Sequence, residues 1–317
     1  MSRILLTAVG SMAANPAARR YQALGHTVFG CDIYPREWTP LAGEIDFFQA
    51  RLATEGEPYV GQLKEAVRRD GLDFVIPLTD PEVDALSPRK AEFRALGCTV
   101  CVPEERVAAL CRRKDKMNRF LAEKQVCRLI PTESAVSGQP CPFPFPVMVK
   151  PRSGRSSLGQ AVAEDEKGYQ TALAGREDCI VQPFLEGDIF CVDVARDAFG
   201  HTRAAARQEL LRNKSGLGMT VEVLPGHPLE AVCAAIAEAV GLVGVVNMEF
   251  IRHGDDFFFL EVNPRFSGGV GFSMAAGMDF AEMMLCCHSG GSVEAFPAAP
   301  KHALLARESA IVLTQLR

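Results

Sequence analysis

The segment from Asn247 to Gly269 constrains the chain more than any other. It reads Asn247-Met248-Glu249-Phe250-Ile251, then His253-Gly254-Asp255-Asp256, then Phe257-Phe258-Phe259-Leu260-Glu261-Val262-Asn263-Pro264-Arg265-Phe266-Ser267-Gly268-Gly269. Two apolar-rich runs around a Gly-Asp-Asp turn predict a β-hairpin, and a three-residue loop over 254–256 sets Glu249 against Glu261 and Asn247 against Asn263. Side chains alternate along a strand, so Met248, Phe250, Phe258, Leu260 and Val262 share the other face, which is apolar and suits a core. The polar face then carries two carboxylates and two amides. Like charges directly opposite on a sheet repel. Either solvent screens them, or a hard cation lies between them, since Mg²⁺ accepts one or two carboxylates and completes its shell with substrate phosphates. The hairpin alone leaves both readings open.

Upstream lie a lysine and a small-residue loop that reads either as a phosphate cover or as a flexible turn. Pro146-Val147-Met148-Val149-Lys150-Pro151 predicts a short buried strand ending in a lysine, followed by Arg152-Ser153-Gly154-Arg155-Ser156-Ser157-Leu158-Gly159 and a return strand, Gln160-Ala161-Val162-Ala163. A small-residue loop between strands can lay backbone N–H groups over phosphates while the lysine supplies charge. It lacks the Gly-Lys-Ser/Thr ending and following helix of a Walker loop. Cys179 to Leu185 predicts a strand running into a turn at Gly187, and Ile189 to Ala195 the strand after it, with a hinge between them. Arg207 to Thr220, basic and glycine-containing, reads as an anion-contacting or solvated loop.

The first part of the chain is different in kind. Arg3 to Val9, an Ala-rich helix over 15–24, and Thr27 to Cys31 form a strand–helix–strand unit of the parallel, doubly wound type. A helix over 57–70, a strand over 73–77, a helix over 83–96 and a strand from Cys98 continue it. Asp32 follows the second strand where a ribose-binding acid would stand, yet Gly10-Ser11-Met12-Ala13-Ala14 lacks the three-glycine dinucleotide fingerprint. Thr79-Asp80-Pro81-Glu82 reads both as a helix N-cap and as a substrate contact at a strand end. Four prolines between Gly138 and Pro146 mark a boundary region. Beyond Pro228 come an Ala-rich helix to Val240, the hairpin, a helix over 271–288 and a β-prone run from Leu304 to Leu316.

With 317 residues, 48% of them hydrophobic and 23% charged, the chain has ample core for two or three domains. A formal charge of −5 and no basic run exclude an electrostatic footprint for nucleic acid or an anionic membrane. No apolar stretch approaches a membrane span, and the first residues are too short and strand-like for a signal peptide, so a cytoplasmic location is expected. Eleven cysteines without a framework read as reduced, packed thiols, and the Cys98/Cys101 pair has no second pair to complete a zinc site.

Taken together, these pieces resemble the ATP-grasp superfamily, particularly its carboxylate-amine ligases and the synthetase halves of the carbamoyl-phosphate synthase large chain. The most specific element is Phe259 to Gly269 with Glu249 in the preceding strand, and the order of lysine, loop, hinge and carboxylates also matches. The resemblance implies an α/β chain with α+β lobes: a Rossmann-like domain over 1–110, an ATP-grasp small lobe over 111–185 and a large lobe over 186–317. It implies that Lys116 and Lys150 contact ATP phosphates under a loop including Ser153, Gly154, Ser156 and Ser157. Gln182, the carbonyl of Pro183 and the N–H of Leu185 would meet the adenine. Glu249, Glu261 and Asn263 would hold Mg²⁺ (or Mn²⁺), and Arg265 would stabilise the transferred phosphoryl group, with Arg212 and Lys214 on the substrate carboxylate or phosphate. Where such a family places a ribose-binding glutamate, this chain has Ile189, so Asp188 or Glu186 would have to take that place.

The activity so implied is an ATP- and Mg²⁺-dependent ligase that activates a carboxylate as an acyl phosphate for attack by an amine, both small molecules. The alternatives are a carbamoyl-phosphate-synthase-like reaction on bicarbonate or carbamate, and a regulatory module that binds ATP without turnover. The terminal run from Leu304 suggests a packed element, either within the chain or at the interface of a homo-oligomer.

Overall fold

The structure is a computed structural model that describes residues 1–154, 158–308 and 311–314; Ser156 and Ser157 lie outside the described residues. Its first unit comprises β1 (Arg3–Leu6), α1 (Ala14–Ala23), β2 (Thr27–Asp32), β3 (Asp46–Gln49), α2 (Glu57–Asp70), β4 (Phe74–Ile76), α3 (Asp80–Leu86), α4 (Lys90–Arg94) and β5 (Thr99–Val100). The five strands pair in parallel in the order β3-β2-β1-β4-β5, confirming a Rossmann-like domain. Strand alternation explains why both faces are covered. Ile4 and Leu6 enter a core with α1, while Leu5 enters another with Tyr59, Leu63 and Val67 of α2. The helix expected over 83–96 is broken at Ser87-Pro88-Arg89 into α3 and α4, because proline cannot continue the hydrogen-bond ladder. Asp32 accepts a hydrogen bond from the Gly10 backbone at 2.8 Å, so it anchors the turn after β1.

Next come α5 (Glu105–Arg112), α6 (Lys114–Lys124) and β6 (Arg128–Leu129). Val107 and Cys111 of α5, with Met117 and Leu121 of α6, lie in the same core as Val192, Val246, Met248 and Phe250. The small lobe is therefore narrower than the expected 111–185. Its antiparallel sheet consists of β7 (Glu133–Ala135), β8 (Val147–Pro151), β9 (Ala161–Ala163) and β10 (Cys179–Pro183), ordered β7-β10-β8-β9, with α7 (Glu166–Leu173) against it.

The large lobe carries β11 (Asp188–Arg196), β12 (Thr202–Arg212), β13 (Gly218–Val223), α8 (Pro228–Val240), β14 (Gly244–His253), β15 (Asp256–Asn263), α9 (Val270–Ala275), α10 (Phe280–His288) and β16 (Ala303–Ala306). Its sheet runs β16-β13-β12-β11-β14-β15-β6. The basic segment 207–220 is thus mostly two paired strands with a turn between them. Of the terminal β-prone run, Ala303–Ala306 pairs with β13 at the sheet edge, residues 311–314 are exposed, and 309, 310 and 315–317 fall outside the described residues.

The first domain is locked to the large lobe through α1 and α10. Tyr21 donates to the Ala281 carbonyl at 2.9 Å, and Arg20 reaches Asp279 at 2.6 Å. No helix among the described residues is long and apolar enough to cross a membrane.

Candidate active site

The β14–β15 hairpin places Glu249 opposite Glu261 and Asn247 opposite Asn263. Its turn is shorter than expected: His253 pairs with Asp256, leaving a two-residue Gly254-Asp255 loop, and a bulge between Glu249 and Phe250 restores the register. The extra residue is Leu260. Phe259, expected on the polar face, therefore packs in the core with Phe250, while Leu260 joins Glu261 on the cleft side.

The two carboxylates converge on one amide. Asn263 Nδ2 lies 3.3 Å from Glu249 Oε1 and 3.2 Å from Glu261 Oε1. Lys114 Nζ sits 2.9 Å from Glu261. Burial, reinforced by the charge of Glu261, pushes the Glu249 carboxyl up to about 7. Burial would raise Glu261 as well, but the Lys114 ion pair outweighs it and holds Glu261 below the usual range. The two carboxylates are thus driven apart in acidity, as a buried like-charge pair requires, and a divalent cation between them would relieve the repulsion. Among the described residues no group of three or more His, Cys, Asp or Glu side chains could hold a metal. The donor set of two carboxylates and an amide fits Mg²⁺ or Mn²⁺ sharing its shell with phosphate oxygens, and does not fit a thiolate or imidazole metal.

A slot of about 270 Å³ runs from this pair to the small lobe. Lys150, at the end of β8, is buried in it, and burial, with the nearby Lys114 ammonium, lowers its pKa to about 8. The far end is lined by Ile130, Met148, Gln182, Pro183 and Leu185. Gln182 Nε2 donates to the Thr132 hydroxyl at 2.6 Å, which also accepts from Asn118 at 2.6 Å. Gly187 is required where the chain leaves this hinge, since a Cβ there would lie 1.7 Å from the Arg252 carbonyl oxygen. Asp188 is not in the slot: strand alternation turns it away, and its carboxylate pairs with Arg252. Glu186 is exposed and engages His253 through its carbonyl only. Neither replaces the glutamate expected at Ile189.

On the other side of the carboxylates lies a second chamber of about 580 Å³, walled by Ser11, Thr79 and Asp80 of the first domain and by Arg207, Glu209, Arg212 and Arg265 of the large lobe. Asp80, 1% exposed, takes Arg265 in a two-pronged pair, Oδ1 to Nε and Oδ2 to Nη2, each 3.0 Å. Thr79-Asp80-Pro81-Glu82 thus serves both readings, as the start of α3 and as a wall of the chamber. Arg212 lies 2.8 Å from Glu209 and 3.7 Å from Glu249.

Two expected cations are elsewhere. Lys214 is exposed and lines neither cavity, because it sits at the tip of the β12–β13 turn. Lys116 is exposed on the outer face of α6, and Lys114 takes the place expected of it. The buried stripe of α6 is Lys114, Met117, Asn118 and Leu121, a helical spacing visible in the sequence that puts Lys114 on the core side. Gly154 lies beside Lys114, its carbonyl 3.5 Å from Nζ, and Ser153 next to it is half-buried.

A lysine-bearing small lobe over a carboxylate hairpin, with a hinge slot between them and a Rossmann-like domain in front, has the two-lobed architecture of the ATP-grasp fold. A family model described as "ATP-grasp in the biosynthetic pathway with Ter operon" matches residues 175–310. That match spans less than half of the chain, and it falls mainly on the large lobe that carries the hairpin. Among curated proteins it is similar to the formate-dependent phosphoribosylglycinamide formyltransferase of Synechococcus sp. (strain CC9605), 26% identical over 273 residues, which cover 77% of this chain and 64% of the relative. The chain therefore spans just under two thirds of that relative's length. Among solved structures it is similar in fold to N5-carboxyaminoimidazole synthetase from Staphylococcus aureus, with TM-score 0.72, 15% identity, and coverage of 96% of this chain and 80% of that one. The biotin carboxylase domain of the Hydrogenobacter thermophilus 2-oxoglutarate carboxylase, solved with MgADP, ADP and bicarbonate, matches with TM-score 0.71 and 16% identity, covering 92% of this chain and 71% of that one.

Proposed function

We propose that this protein is an ATP-dependent, Mg²⁺-requiring ligase that converts a small-molecule carboxylate into an acyl phosphate and passes the acyl group to an amine. The observation that carries this reading is the single line formed by the hinge slot, Lys150 and Lys114, the Glu249–Glu261–Asn263 set and the second chamber. A nucleotide lying base-first in the slot brings its phosphates to the lysines and its γ-phosphate to the chamber mouth. When bound, Mg²⁺ held by Glu249, Glu261 and Asn263 neutralises charge on the β- and γ-phosphates. Pro183 contributes a carbonyl and Leu185 an N–H to the base edge, and Gly154 and Leu158, which border Lys114 and Lys150, lie toward the phosphates.

The chamber then holds the carboxylate, whose oxygen attacks the γ-phosphate. Arg265, fixed by Asp80, stabilises the transferred phosphoryl group, and Arg212 holds the carboxylate or the phosphate. The amine attacks the acyl carbon and phosphate leaves. Splitting a condensation into two displacements is favourable only when water is kept from the acyl phosphate, so the reaction requires the lobes to close over the chamber.

The test is ADP release with Mg²⁺ and pooled carboxylates and amines, with hydroxylamine present to trap the activated acyl group as a hydroxamate. ADP release that requires both a particular carboxylate and the metal is the expected result. ATP binding without turnover over a broad panel would favour the regulatory reading instead.

A further inference from the structure

The middle of the slot is unusual in its chemistry. A nucleotide is covalently ordered, so with phosphates at Lys150 and the carboxylates, and the base at the apolar hinge end, the ribose must occupy the stretch between. That stretch is walled by Ile189, Ile251 and Leu260. Ile189 and Ile251 are direct cross-strand partners on β11 and β14, and Leu260 is brought to the same side by the bulge in β15. Three neighbouring strands thus present three aliphatic side chains where a sugar would lie.

Other polar side chains of the slot, among the described residues, are already engaged. Gln182 is held by Thr132; Arg212 donates to the Gly216 carbonyl at 3.0 and 2.5 Å and lies against Glu209; the Ser215 hydroxyl donates to Asn213 at 2.8 Å. Asp188 faces away in its pair with Arg252. Gln160, an exposed neutral amide, is what remains.

We propose that this protein does not read the sugar of its nucleotide: Ile189, Ile251 and Leu260 make the ribose subsite an aliphatic wall that accepts 2′-deoxy- and 3′-deoxyribonucleoside triphosphates as readily as ATP, with Ile189 as the residue that sets this. The physical ground is an asymmetry of recognition. A site built to hydrogen-bond a hydroxyl rejects the analogue lacking it by a large factor, because its own buried polar group is left unpaired, whereas an apolar site discriminates weakly. The proposal rests on the slot being the nucleotide site.

The experiment is equilibrium binding of ATP, 2′-deoxyATP and 3′-deoxyATP to the full chain with Mg²⁺. Dissociation constants within about threefold of one another are expected. Ile189→Glu, and Ile189→Gln as the uncharged counterpart should the first fold poorly, would introduce a preference for ATP of about tenfold. Wild-type binding of ATP tenfold or more above either deoxy analogue overturns the inference while leaving the nucleotide reading in place. Absence of ATP binding, with the protein folded by circular dichroism, overturns the nucleotide reading and the inference with it.

Discussion

The two cavities that meet at Glu249 and Glu261 are built in opposite ways. The slot of about 270 Å³ is made mostly from strand residues of the two C-terminal lobes, whose side-chain direction follows from alternation: Met148, Lys150, Gln182, Ile189, Glu249 and Ile251. The chamber of about 580 Å³ draws on the turn after β1, the start of α3, the β12–β13 turn and the loop after β15, which are far apart in sequence. A strand-built wall is rigid and carries a fixed ligand class; a loop-built wall can be altered piece by piece on the same scaffold. The nucleotide end should therefore be shared across relatives of different activity, and the chamber end should hold what distinguishes this protein.

That division can be broken by substitutions on each side of the boundary. The largest effect is expected at the boundary itself: Glu261→Gln should lower ADP release by about 10³-fold or more, since it removes one of the two carboxylates that would hold the metal. Its circular dichroism should stay native, and an unchanged rate would sink the metal-site assignment. On the slot side, Lys114→Ala should reduce kcat/KM for ATP by about 10²-fold, while Lys116→Ala should stay within about twofold, a contrast that steady-state kinetics reads directly. Equal losses in the two variants would mean that α6 is rotated from the orientation described. On the chamber side, Asp80→Asn should lower kcat by about tenfold, with the dissociation constant for ATP within about twofold, because only the orientation of Arg265 is disturbed. A loss of ATP affinity instead would merge the two cavities into one functional unit.

The smallest effect is expected away from both. His288 is half-buried with its Nε2 enclosed against Gly244, and that desolvation lowers its pKa to about 3 from the ordinary 6.5. Below 6.5 the unfolded chain binds a proton that the folded chain does not, so stability falls with falling pH in this window. Between pH 7 and pH 5 this site should remove about 2 kcal/mol. Denaturant titration of His288→Leu at the two pH values should show a correspondingly smaller loss.

Much of this arrangement was legible in the residues, and the misses have physical causes. Period-2 patterning sufficed to oppose Glu249 to Glu261, because the bulge at Leu260 compensates for a turn one residue shorter than expected. It did not suffice to sort Phe259 from Leu260, since a run of apolar residues carries no mark of where an extra one is inserted. The β1–α1–β2 unit was plain from its buried strands. β3 was missed because Asp46-Phe47-Phe48-Gln49 is a four-residue edge strand with polar ends and no buried member. Lys114 could have been chosen over Lys116 from the stripe of Met117 and Leu121. The Asp80–Arg265 pair, by contrast, joins residues 185 positions apart. No local pattern reports such a contact.

The small lobe is a single uninterrupted insertion between β6 and β11, two strands of one sheet. It can be treated as a cassette with two junctions, residues 130–132 and 184–187. The Thr132 hydroxyl, holding Asn118 on one side and Gln182 on the other, is the fastening at the first junction; Gly187, passing against the Arg252 carbonyl, is the fitting at the second. A chimaera that keeps these two positions can exchange the whole nucleotide-covering lobe with a distant relative's while leaving the chamber, and whatever selects the substrates, in place.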